Sequence, residues 1–180
     1  MIVSLFADRR TPDVAAVAHD LAVALASQEA TPALYIDTVA TRAAKGLRFS
    51  IEPRPLPASV HATLGQLRPT DHAVLAFVGS VTEPVITAFD LSTRILVLTD
   101  STVQSLRAAQ RTFKLCRDIG YTPGRVLAVV LLEDAGLVDV DAVRTALKRE
   151  AFSVVPGPNA PADARRAAIA ELADRIARAT

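Results

Sequence analysis

The sequence predicts a single α/β domain: a mainly parallel sheet of about six or seven strands with helices on both faces. Three observations predict it. Short apolar runs alternate with amphipathic stretches along the chain. Several runs are continuously apolar, as expected of strands covered on both faces. The 180 residues, 51% apolar and 22% charged, are enough to bury a core without disulfides or metals.

The elements follow in order. Ile2–Phe6 reads as a strand. Asp13–Ser27 reads as an Ala-rich helix, with Val14, Val17, Leu21 and Leu25 at helical spacing. Ala33–Ile36 is the next strand. Thr38–Pro57 contains Pro53, Pro55 and Pro57 and is expected to be an irregular connection, because proline fixes φ and lacks a backbone donor. A short helix is expected near Ala58–Leu67, then strands at Ala73–Val78 and Arg94–Thr99. Thr102–Ile119 carries Val103, Leu106, Phe113 and Ile119 and reads as a helix. Val126–Leu132 is a strand, Asp139–Lys148 a helix with Val140, Val143 and Leu147, and Phe152–Val155 a short strand. Pro161–Ala179 closes the chain as a helix with Ile169, Leu172 and Ile176 on one face. No repeat, low-complexity tail or linker divides residues 1–180.

Charge and cysteine content narrow the function classes. A net charge of +1 supplies no strong pull toward nucleic acid or an anionic membrane, and no specific nucleic acid is expected as a partner. A single cysteine, Cys116, cannot form an internal disulfide, which fits a reducing cytoplasm. No targeting segment is visible, and no window reaches the ~18 apolar residues of a membrane span.

In an α/β sheet, ligands bind in the crevice at the carboxyl ends of the strands. The first strand–helix turn is therefore the first place to look. It runs Phe6-Ala7-Asp8-Arg9-Arg10-Thr11-Pro12-Asp13-Val14-Ala15-Ala16 and continues VAHDLAVALAS.

MIVSLF followed by VAHDLAVALA resembles the opening of the ParA/MinD ATPases, P-loop proteins with a deviant Walker motif of the form KGGVGKTT. The two align without a gap. The family's first lysine falls on Arg9, its first two glycines on Arg10 and Thr11, and its third glycine on Asp13. The phosphate-binding lysine falls on Val14 and the two threonines on Ala15 and Ala16. Downstream, LYIDT with Asp37 is similar to the family's second strand, and DHAVLAFVGS to its DYVVVDxP strand. With its Asp-x-Pro set on Phe77-Val78-Gly79, one residue beyond a match that starts at Asp71, the switch aspartate falls on Phe77 and the proline on Gly79. RILVLTDSTVQSLRAAQRTFKLCRDIGY resembles the CpaE/TadZ branch associated with pilus assembly, through Ser105, Leu106, Arg107, Ala109, Arg111, Gly120 and Tyr121. The adenine-contacting asparagine falls on Leu131 or Leu132, and FSVVPGP is similar to the last strand and its proline loop. The resemblance spans about residues 1–158 and implies a ParA/MinD core, with face-to-face dimerisation as the family's habit.

The departures imply loss of the chemistry. A P-loop needs glycines so that backbone N–H groups can turn toward phosphate, a lysine to neutralise it, and a hydroxyl for Mg²⁺. Arg10, Thr11 and Asp13 have side chains where glycines are needed, Pro12 removes a donor, Val14 carries no charge, and Ala15 has no hydroxyl. A carboxylate at Asp13 about 4 Å from a phosphate costs about 4 kcal/mol at an effective dielectric of about 20, or about three powers of ten in affinity. Arg9 and Arg10 offset part of this, and with Asp37 they are the candidates for residual anion or ligand contacts. The same turn reads as an ordinary helix start, with Thr11 as N-cap, Pro12 at the first helical position and Asp13 in the first turn.

Other candidates are weaker. His19, His61 and His72 share no ligand spacing with one another or with Cys116, so no metal is expected. Cys116 lies on the apolar side of a helix and reads as core. Asp8, Asp37 and Asp100 follow strands and suggest a receiver-like phosphate acceptor, but the paired acidic cluster and the lysine of such a site are missing. Gly79-Ser80 lacks the nucleophile elbow of a serine hydrolase. The closing helix carries Arg165, Arg166, Arg175 and Arg178, but its thin apolar face suits packing on the sheet rather than membrane contact.

The expectation is thus a pseudo-ATPase without cofactor. It would bind protein partners, whether a second copy of itself or an active ParA/MinD-like paralogue. It would be cytoplasmic and act in localisation or assembly, at a pilus or secretion apparatus or a cell pole. A weak nucleotide-binding regulator with a rebuilt phosphate site, and a receiver-like module, are the alternatives.

Overall fold

The computed structural model describes residues 1–8, 13–29, 33–37, 48–51, 56–132, 140–157 and 159–178. Thirteen elements alternate along the chain. They are β1 (Ile2–Ala7), α1 (Asp13–Glu29), β2 (Ala33–Asp37), β3 (Arg48–Ile51), α2 (Pro57–Gly65), β4 (His72–Val78) and α3 (Glu83–Leu91). Then come β5 (Arg94–Thr99), α4 (Val103–Ile119), β6 (Val126–Leu132), α5 (Val140–Leu147), β7 (Ala151–Pro156) and α6 (Ala162–Arg178). The seven strands form one sheet in the order β3-β2-β4-β1-β5-β6-β7, every pair parallel.

The order follows from right-handed crossovers. The chain leaves β1 toward β2 through α1 on one face. It returns through β4 and on to β5, β6 and β7 with α2, α3, α4 and α5 on the other. Each strand splits its side chains between the two faces with period two. Val3 and Leu5 of β1, Val74 and Ala76 of β4, and Leu96 and Leu98 of β5 meet α1 and α6 through Leu21, Leu25, Leu172 and Ile176. Phe6, Leu75, Phe77, Ile95 and Val97 point the other way, toward Phe89 of α3 and Phe113 of α4. Phe6 and Phe89 meet edge to face, with centroids 5.8 Å apart. Fully burying one such side chain contributes about 1.5–3 kcal/mol.

Local signals end the elements. The Thr102 hydroxyl accepts from the Ser105 N–H at 3.2 Å and caps α4. Gly120, at φ 103°, stops the same helix in a left-handed turn that glycine adopts freely. At the end of α3 no glycine is available, and Arg125 serves instead. Its guanidinium donates to the carbonyls of Ser92 (2.8 Å), Asp90 (2.7 Å) and Phe89, over the Tyr121 ring.

Two elements depart from the sequence reading. Arg48–Ile51 lies inside the segment expected to be irregular, yet it forms the edge strand β3, with Leu34 to Asp37 of β2 as its partners. Four residues carry too little periodicity to announce a strand; the ladder to β2 makes it one. Glu83–Leu91 was not anticipated as a helix, although Pro84 in the first turn and the spacing of Val85, Ala88 and Phe89 suit one.

Candidate functional site

The carboxyl edge of the sheet is where ligand chemistry is expected, and the sequence candidates can be located there one by one. Arg9, Arg10, Thr11 and Pro12 lie outside the described residues. Asp13 opens the described part of α1. Val14, at the position of the phosphate-binding lysine in the ParA/MinD pattern, is 0% exposed and belongs to the apolar cluster between the sheet and the two helices α1 and α6. Ala15 is half-buried and Ala16 exposed. Leu131 is buried in the same cluster as Val14, whereas Phe77 is buried on the opposite face of the sheet. Three positions that resemblance groups at one nucleotide are therefore apolar core, and the sheet divides them.

Gly79 adds a geometric departure. It follows β4, its N–H donates to the Ala7 carbonyl at 2.9 Å, and its φ is 107°. Proline, which the alignment puts at this position, is locked near φ −65° and cannot take that turn.

Two of the three aspartates, Asp8 and Asp100, have partners of their own. Asp8 follows β1 and pairs with Arg111 of α4, Oδ2 to Nη2 2.7 Å. Asp100 follows β5 and is buried; its Oδ1 accepts from the Thr102 N–H (2.8 Å) and hydroxyl (2.6 Å) at the start of α4. Ser105 continues this network, its hydroxyl accepting from the Asp100 N–H at 3.1 Å and lying 3.0 Å from the Thr99 hydroxyl. Asp37 ends β2, which β4 separates from β1. Asp100 thus satisfies a helix start rather than waiting for a phosphoryl group.

Asp8 and Arg111 line a small cavity of about 230 Å³ with Phe6, Ser80, Val81 and Leu115. The residues that meet here are 103 positions apart, and no motif joins them. Sequence reasoning named both, Asp8 as a possible acceptor and Arg111 as part of the pilus-branch likeness, without pairing them.

Cys116 is buried, and burial pushes its thiol up to about 11 against the opposing charges of Arg149 and Arg125. A thiol held protonated at neutral pH is a poor nucleophile. His19 lies 3.2 Å from Asp20, His61 is on exposed α2 surface, and His72 is buried at the start of β4. Among the described residues no three His, Cys, Asp or Glu side chains gather in a way that would hold a metal ion. No helix among them is long and apolar enough to cross a membrane.

No protein-family model matches the chain, and no curated protein sequence matches it. Solved structures do match. A ParA family ATPase from Chlorobium tepidum TLS superposes with a TM-score of 0.77 at 14% identity, covering 96% of this chain and 96% of that one. The MinD cell division protein of Aquifex aeolicus gives 0.77 at 13% identity over 98% and 96%. The cell division ATPase MinD of Pyrococcus furiosus gives 0.72 at 13% identity over 99% of both chains. Identity this low speaks for architecture alone, and by its architecture the chain has the parallel α/β fold of the ParA and MinD ATPases.

Proposed function

We propose that this chain is a pseudo-ATPase: a ParA/MinD-type fold kept for its protein-binding surfaces after its nucleotide site lost its chemistry. The observation that carries this reading is Val14. A phosphate-binding lysine must reach into the crevice, and the residue at its position is fully enclosed by apolar side chains. The buried Phe77 and Leu131 and the φ of Gly79 support the same reading. Without nucleotide to drive a cycle, such a protein acts as a localisation or assembly factor. The pilus-branch likeness of α4 makes a pilus or secretion apparatus, or polar positioning, the setting to test. One of the superposing structures is a complex of MinD with MinC. By analogy this chain pairs with a protein partner, with itself, or with an active paralogue.

Calorimetric titration with ATP and Mg²⁺ tests the first half of the proposal. No binding is expected at nucleotide concentrations that saturate an active ATPase. Micromolar affinity overturns the reading in favour of a nucleotide-binding regulator that uses Arg9 and Arg10. The second half is tested by affinity capture from the native cell: recovery of a pilus, secretion or polar component supports it, and recovery of none refutes that assignment.

A further inference from the structure

At the opposite, amino edge of the sheet, α4, the turn after it and the end of α5 enclose a cleft of about 320 Å³. Lys114, Arg117, Lys148 and Arg149 line it, with Phe113 at its wall. A second cavity of about 450 Å³ adjoins it, and Lys148 and Arg149 line both. Two of the four cations are compensated: Asp118 lies 2.6 Å from the Lys114 ammonium and 3.8 Å from Arg117. Glu150 is nearby but pairs with Arg144. Among the described residues no carboxylate pairs with Lys148 or Arg149.

Arg149 is the unusual member. It is half-buried, its guanidinium lies 4.1 Å over the Phe113 ring, and its Nη1 donates to the Val126 carbonyl at 2.6 Å. Burial holds the group below its ordinary range. A desolvated cation with no counter-charge is costly, and an anion in the cleft removes that cost. Lys148 carries a second cost. Its φ is 52°, a left-handed helix end where glycine is the unstrained choice. A strained backbone that keeps a cation at a cavity mouth points to use of the cation.

We propose that this cleft binds a small multivalent anion, a phosphate- or carboxylate-bearing molecule clamped by Arg149 and Lys148. The site is concave and of ligand size, and a net charge of +1 supplies no long-range field for a polyanion, so a small molecule fits better than a nucleic acid.

Titrating the full chain with inorganic pyrophosphate and, separately, citrate tests the site. Saturable one-site binding is expected for at least one of them, and the tighter of the two identifies phosphate or carboxylate as the natural group. Arg149→Gln is expected to weaken it by about tenfold or more. Lys148→Gly is expected to keep or raise the melting temperature while weakening binding, a split that a purely structural lysine would not give. If Arg149→Gln does not fold, Lys148→Gln at the rim carries the comparison. Replacing Arg9 and Arg10 by Gln is expected to change nothing, which separates this cleft from any residual phosphate contact at the carboxyl edge. The proposal is overturned if neither anion saturates, if the Arg149 and Lys148 variants bind like wild type, or if binding is lost in the Arg9/Arg10 variant instead.

Discussion

Introducing the lysine of the P-loop pattern, Val14→Lys, tests whether the crevice is closed at the level of packing. Val14 has no exposed surface and is walled by the cluster that contains Val17, Leu21 and Ile176. An ammonium there meets no solvent and, among the described residues of that cluster, only apolar side chains, so the folded chain holds the lysine neutral. Deprotonating it at pH 7 from an unfolded pKa of about 10.4 spans about 3.4 pH units, or about 4.6 kcal/mol at about 1.36 kcal/mol each. Added length costs about 1–3 kcal/mol more through overpacking. Val14→Met, of similar length without charge, isolates that part. Urea melts of both variants are then expected to differ by about 4–5 kcal/mol at pH 7 and by about 1 kcal/mol at pH 9.5.

The sign is fixed by linkage. The folded pKa is lowered, so the unfolded state binds more protons between the two pKa values, and the lysine variant gains stability as pH rises. Any titration of Cys116 is common to both variants and cancels in the difference. No ATP binding should return. Equal stability of the Lys and Met variants at pH 7 would refute the reasoning, because the side chain would then have found water and an open crevice.

Three further outcomes follow from the packing. Gly79→Ala meets no atom within 4 Å at its new Cβ, so only the φ of 107° opposes it, and a loss of about 1–2 kcal/mol in denaturant melts is expected. Gly79→Pro, which restores the residue of the family pattern, is expected to cost about 3 kcal/mol or more. Arg125→Ala strips the charged donor from three carbonyls at the end of α3 and should cost about 2–4 kcal/mol, with lysine restoring only part, because one ammonium cannot span the same fork. The Cys116 thiol, raised from 9.0 to about 11 by burial, stabilises the fold fully below about pH 9. That contribution is lost as pH climbs through about 11, because the unfolded thiol ionises first. Cys116→Ala should flatten this part of the stability profile, and the native thiol should react with a disulfide reagent far more slowly at pH 7 than the unfolded one.

The departure from the P-loop pattern was legible from residue types alone: Val14 has no charge and Ala15 no hydroxyl in any conformation. The alternation of strand and helix was legible too, because apolar runs such as Val126–Leu132 and the Leu21–Leu25 spacing are local patterns. The edge strand β3 was not, since its hydrogen bonds come from β2 across a gap in sequence. Arg149 was invisible for the same reason. Its environment is made by Phe113 and by the Val126 carbonyl 23 residues away.

By itself, then, the chain's sequence determined the layered α/β class and the apolar residues that stand where a P-loop has its lysine and hydroxyl, because both depend on which side chains stand at which spacing. Tertiary structure alone decided the strand order, the burial of Val14 and Leu131 on one face with Phe77 on the other, and the placement at the amino edge of Lys148 and Arg149, with which no described carboxylate pairs. Those depend on which distant segments close against one another, and long-range closure is set by handed crossovers and shared core volume rather than by any local pattern.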